Sequence, residues 1–164
     1  MNLLIIRHAD AGDRNQWSGD DDERPLSLLG HKQAHALGDA LKQRGLELQA
    51  VISSPLVRTR ETAEGILASV AAPPAVIFSD LLAPGALRRR KLAKYLATVG
   101  VDSLAIVGHD PDLPAFLGWL LGVDPEHVPL EKGGAASLHF EEEPGKGDGT
   151  LGWVITPQWY LNGS

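Results

Sequence analysis

The chain contains no cysteine, which excludes a disulfide framework and any thiolate metal site. No aliphatic run approaches the ~18 residues that a membrane span requires. The first residues enter a short apolar stretch directly, without the basic region and cleavage site of a signal peptide. Together these absences predict a cytoplasmic protein with no membrane contact. An excess of basic residues is also missing: Lys and Arg number 15 against 21 Asp and Glu, for a formal net charge of −6. That balance argues against nucleic acid as a partner, because phosphate-backbone binding rests on clustered cations. It leaves room for a small phosphorylated substrate, since a few arginines suffice for a local positive pocket.

The 164 residues fit one domain, 1–164, long enough to bury a sizeable core. Leu3-Leu4-Ile5-Ile6 is an unbroken aliphatic run that suits a strand buried on both faces. It ends in Arg7 and His8. Ligands of open α/β sheets bind beyond the carboxyl ends of strands, so this pair marks a candidate site. A solvated strand end is the other reading of these ten residues.

A polar stretch from Ala11 to Pro25 follows and reads as a long loop, with Asp20-Asp21-Asp22-Glu23 as a solvated acidic run. The run lacks the glycine and distal glutamate of a calcium loop. Ser27 can cap a helix from Leu28 to about Arg44, closed by Gly45. Its apolar face is expected at Leu29, Ala36, Leu37, Ala40 and Leu41. His31 and His35 share the polar face, but the protease glutamate between them is absent.

Ala50 to Ser53 forms a second expected strand, with Ser54-Pro55-Leu56-Val57-Arg58 beyond it and a helix from Thr59 to about Ser69. Ala75 to Phe78 is a third strand and Ala86 to Val99 a helix. Ser103 to Val107 is a fourth strand, ending in Gly108-His109-Asp110-Pro111 before a short helix from Leu113 to Leu121. Ala135 to Phe140 and Leu151 to Ile155 read as a closing hairpin around a glycine-rich connection. The alternation predicts a three-layer α/β/α domain, its sheet mostly parallel with an antiparallel edge.

A parallel sheet gathers its strand ends at one edge. Arg7-His8, Arg58 and His109 would therefore converge, supplying two guanidiniums and two imidazoles. Arginine's planar fork matches phosphate oxygens and stays charged at neutral pH. Cationic surroundings disfavour imidazolium, which leaves a neutral nitrogen able to attack phosphorus. The countercharge comes from the protein, so no metal or other cofactor is called for.

Four segments in order resemble one family. Arg7-His8-Ala9-Asp10 resembles its Arg-His-Gly or Arg-His-Ala signature, and Arg24-Pro25-Leu26-Ser27 with Gly30 its RPL[ST]xxG stretch. Ser53 to Ala63 is similar to SSPxxRxxxTA, and Val107-Gly108-His109-Asp110-Pro111 to VGHNP. The family is the histidine phosphatase superfamily, of phosphoglycerate mutase-like fold. The short chain and Lys132-Gly133-Gly134-Ala135 point to its SixA-like phosphohistidine phosphatase branch.

The resemblance implies that His8 is the phosphorylated nucleophile. Arg7 and Arg58 would hold the phosphoryl oxygens, and His109 would complete the pocket. Ser53 and Pro55 would shape the turn that aims Arg58, and Gly108 would permit close backbone approach beside His109. The implied activity is a metal-independent phosphatase acting on phosphohistidine in a signalling protein. A phosphatase for a small phosphoester and a noncatalytic phosphate-binding module are the competing readings.

Two departures from the family pattern bear on the chemistry. Asp110 stands where relatives commonly carry Asn, adding negative charge near the pocket. No glutamate follows the third strand, where larger members keep a general acid, so Asp80 becomes the candidate, with Asp10 and Asp13 behind it. A turn or cap is the alternative role for Asp80. A last feature, Arg88-Arg89-Arg90-Lys91, reads as a solvated basic face or a docking patch for an acidic protein.

Overall fold

The computed structural model describes residues 1–162. Six strands form one sheet: β1 (Asn2–Arg7), β2 (Ala50–Ser53), β3 (Val76–Phe78), β4 (Ser103–Gly108), β5 (Ala135–His139) and β6 (Thr150–Ile155). Their spatial order is β3-β2-β4-β1-β5-β6. The first four strands run parallel, whereas β5 and β6 pair antiparallel at one side. The expected α/β class with an antiparallel edge is thus observed.

Strand alternation splits the aliphatic run of β1 between two cores. Leu3 and Ile5 face the side covered by α3 (Arg89–Thr98) and α4 (Asp112–Leu121), packing with Leu92, Leu96, Phe116 and Leu120. Leu4 and Ile6 face α1 (Leu28–Gln43) and α2 (Val57–Leu67), packing with Leu37, Leu41 and Ile66. Each of these side chains, fully buried, contributes about 1.5–3 kcal/mol to folding. The two layers of helices explain why β1 has no polar face.

Ser27 caps α1 as expected, its side chain accepting from the Gly30 amide. The buried face of that helix is rotated from the expected one. Leu29 is 50% exposed, while Gly30, Ala34, Leu37, Gly38 and Leu41 turn inward. The cause is backbone proximity: a Cβ on Gly30 would collide with the Asp10 carbonyl, and one on Gly38 with the Ile66 carbonyl. Close approach, and not side-chain size, selects this face. A five-residue helix, α5 (Pro157–Leu161), closes the described chain; the sequence reading does not anticipate it. No described helix is long and apolar enough to cross a membrane.

Candidate active site

The parallel pairing of β1 to β4 brings their carboxyl ends to one edge. Because β5 is antiparallel to β1, the turn preceding β5 arrives at that edge too. Arg7 is the last residue of β1, beside Gly108 of β4. The His8 amide donates to the Gly108 carbonyl at 3.0 Å. On the opposite flank, the Gly133 amide reaches the carbonyls of Arg7 (3.2 Å) and His8 (3.0 Å), and the Arg7 amide donates to Gly134 (3.2 Å). The backbone of this dipeptide is therefore gripped from both sides.

The His8 side chain is buried, with Nδ1 2.8 Å from the Ala9 carbonyl oxygen. A carbonyl only accepts, so Nδ1 carries the hydrogen and Nε2 keeps its lone pair. Burial, with the charges of Arg58, Arg7 and Lys132, pushes the His8 pKa down to about 4 against the opposing Ala9 bond. The imidazole is neutral at physiological pH.

His109 lies just beyond β4, its ring centroid 5.3 Å from that of His8. Its Nε2 meets Ser54 Oγ at 2.8 Å. Burial, then His8 and Arg58, lower its pKa to about 3. The Gly108 backbone approaches that of His8 through their 3.0 Å bond, and a Cβ on Gly108 would lie 3.3 Å from the Leu113 side chain of α4.

Arg58 occupies the first turn of α2, which starts two residues earlier than the sequence suggested because Leu56 already takes the extended cap conformation. Its guanidinium is buried; Nη1 donates to the Asp21 carbonyl at 2.7 Å and Nη2 to the Asp21 carboxylate at 3.3 Å. Arg7 donates through Nη1 to the Leu130 carbonyl at 3.1 Å, and the same nitrogen lies 3.8 Å from Asp110 Oδ1. Among the described residues, Arg7 Nε, Arg58 Nε and His109 Nδ1 are buried without a protein partner. Three ring or guanidinium nitrogens of the site thus lack a hydrogen-bond partner within the described protein.

The carboxylates sort by position. Asp80 is exposed and opens a 3₁₀ turn after β3, capped by Ser79, whose amide donates to Ser53 at 2.9 Å. Asp80 makes no ion pair or side-chain hydrogen bond with Arg7, His8, Arg58 or His109 among the described residues. Asp10 is disfavoured as a proton donor. Burial opposes its ionisation, but the Ser27 hydroxyl at 2.6 Å, the Gly12 amide and Lys132 hold its pKa below the usual range. Asp13 caps a short 3₁₀ turn through the Asn15 amide.

Several functional neighbours escape the sequence reading. Asp21, expected in a solvated run, accepts from Arg24 Nε at 2.9 Å and pairs with Arg58 and Arg14. Burial disfavours its charge, yet the Arg24 bond and the Arg58 charge keep its pKa lowered. Arg24 is itself buried and donates to the Ala11 carbonyl at 2.7 Å, tying the loop back to the segment after His8. Thr62 accepts from the Ala9 amide and donates to the Arg58 carbonyl. The signals were present only as the Arg24-Pro25 and Thr62-Ala63 letters of the family motifs. Beside Arg7, a cleft of about 530 Å³ is lined by Leu29, Gln33, Lys132, Pro157 and Leu161.

A neutral histidine and two arginines at the carboxyl edge of this sheet define an enzyme of the phosphoryl-transfer class. The model of the histidine phosphatase superfamily, branch 1, matches residues 3–83. An uncharacterized protein of Picosynechococcus is 31% identical over 98% of this chain and 99% of its own. The phosphohistidine phosphatase SixA of Escherichia coli is 26% identical, covering 96% of this chain and 94% of that protein. The structure of the protein histidine phosphatase SixA complexed with tungstate superposes with a TM-score of 0.84 at 25% identity, covering 100% of both chains. The chain belongs to the histidine phosphatase superfamily and is a phosphatase.

Proposed function

We propose that this phosphatase removes the phosphoryl group from phosphohistidine in a signalling protein, through a phosphorylated His8. The observation that carries the reading is the Nδ1–Ala9 hydrogen bond, which leaves a buried, neutral Nε2 as nucleophile. Likeness along the whole chain to the SixA proteins supports the choice of phosphohistidine.

In the proposed cycle, His8 Nε2 attacks phosphorus while the substrate P–N bond breaks. The leaving imidazole nitrogen gains a proton, for which Asp80 is the candidate donor among side chains and water the alternative. Water then attacks phospho-His8, releasing inorganic phosphate and restoring the neutral ring. Arg7, Arg58 and His109 stabilise the phosphoryl oxygens, where each preorganised donor is worth on the order of 10²–10³-fold in rate. A P–N bond is exchanged for a P–N bond, so the first step demands less acid than ester cleavage would. A cytoplasmic setting is part of the proposal.

The test combines rapid acid quench with initial rates. A phosphohistidine protein should leave an acid-labile, alkali-stable phosphoryl group on the enzyme, abolished by His8→Ala. Rates should be indifferent to chelator and higher for the phosphoprotein than for a panel of small phosphoesters. Faster turnover of a small ester would overturn the substrate assignment. Phosphate binding without label or released phosphate would overturn turnover altogether.

A further inference from the structure

The helix α3 begins with cations where its own backbone opposes them. Arg88 precedes the first turn and Arg89, Arg90 and Lys91 open it, all four exposed. The amino end of a helix carries partial positive charge, which disfavours cations and favours carboxylates. No acidic residue stands in the first turn, and the cap makes no side-chain hydrogen bond. Among the described residues, none of the four lies within ion-pair distance of a carboxylate. Arg88 alone finds local acceptors, donating to the carbonyls of Gly85 and Leu87. In a chain of net charge −6, this is an unpaired basic patch held against its local field.

Its place in the fold gives the patch a use. The helix follows β3, so it starts at the sheet edge where Arg7, His8 and His109 emerge. The segment before it is fixed to that edge at both ends. Ser79 donates to Ser53, and the Gly85 amide donates to the Asp112 carboxylate at 2.7 Å, three residues beyond His109.

We propose that Arg88, Arg89, Arg90 and Lys91 form a docking surface for an acidic protein face surrounding the phosphorylated histidine. This rests on the reading of the substrate given above. A patch beside the pocket adds long-range attraction for a macromolecule whose surface reaches it. A small phosphoester occupying the pocket alone does not touch it. Such steering raises association rates by about 10–10³-fold and fades as salt screens it.

The test uses the full chain and its Arg89→Glu/Arg90→Glu/Lys91→Glu variant, leaving the hydrogen-bonded Arg88 in place. Substrates are an acidic histidine-phosphotransfer domain phosphorylated with phosphoramidate, the same domain with surface carboxylates changed to amides, and p-nitrophenyl phosphate. The variant should lose about tenfold or more in kcat/KM on the acidic domain and the salt dependence with it. It should match the parent on p-nitrophenyl phosphate and on the neutralised domain. Its Tm should be equal or higher, since carboxylates suit a helix amino end. Equal losses on all three substrates, or no loss on any, would remove the docking surface while leaving the phosphohistidine reading intact. Failure of the parent to turn over either phosphorylated domain would remove that reading and the docking surface with it. Tighter binding of the parent to anionic vesicles or RNA than to the acidic domain would reassign the patch.

Discussion

The rings of His8 and His109 lie 5.3 Å apart and tilted by 56°, close enough for His8 to oppose protonation of His109. With pKa values lowered to about 4 and about 3, both stay neutral through physiological pH. The free-enzyme kcat/KM is therefore expected to be level across neutrality on the acidic side, falling only as pH approaches about 4. A fall centred near 6.5 would show that His8 keeps its ordinary pKa.

The same shifts set a stability trend. The unfolded chain takes up protons on these histidines below about 6.5, whereas the folded chain resists until about 4 and 3. Their contribution to stability is complete above 6.5 and is lost as pH falls through the folded values. Thermal melts should show Tm dropping across this window. His109→Gln should make the drop shallower.

Asp21 holds Arg58 through both its carbonyl and its carboxylate, which predicts a graded response. Asp21→Asn keeps an acceptor and should raise KM a few-fold. Asp21→Ala frees Arg58 Nη2 and should raise KM about tenfold, near the 1.4 kcal/mol of one charge-assisted bond. In neither variant should the pH dependence of kcat move, which separates aiming of Arg58 from a proton-transfer role.

Asp110 stands 3.8 Å from Arg7 and is half exposed, so in the proposed mechanism its charge would compete weakly with an incoming phosphate. Asp110→Asn should tighten inhibition by inorganic phosphate by about twofold to fivefold, the range of an exposed ion pair. Weaker inhibition would mean that Asp110 orients Arg7 instead.

Gly30 touches the Asp10 carbonyl without space for a methyl group. Gly30→Ala should destabilise the fold by about 1–3 kcal/mol and lower Tm by several degrees. Activity should fall beyond the folded fraction, because Asp10 lies two residues from His8. An unchanged Tm would show that α1 can shift freely.

The aliphatic run of β1, the alternation of strands and helices, and the hairpin were legible because burial on two faces writes them into local sequence. Arg7, His8, Arg58 and His109 were legible for a related reason: each follows a strand whose end the parallel topology fixes. Asp21 was not, since an acidic run looks the same whether it faces water or receives Arg24 and Arg58. The exposure of Leu29 on α1 was not legible, because apolar periodicity says nothing about where two backbones must touch. Helix α5 spans too few residues for any period to show.

The turn before β5 grips Arg7 and His8 through main-chain atoms of Gly133 and Gly134, while Glu131 and Lys132 stay exposed along the adjacent cleft. The codon of Glu131 can then be randomised along this cleft without loosening the main-chain frame around Arg7 and His8, whereas Lys132 also pairs with Asp10 at 3.8 Å. For directed evolution of substrate choice, Glu131 is the natural starting position, and Lys132 and the glycines behind it are the residues to leave alone.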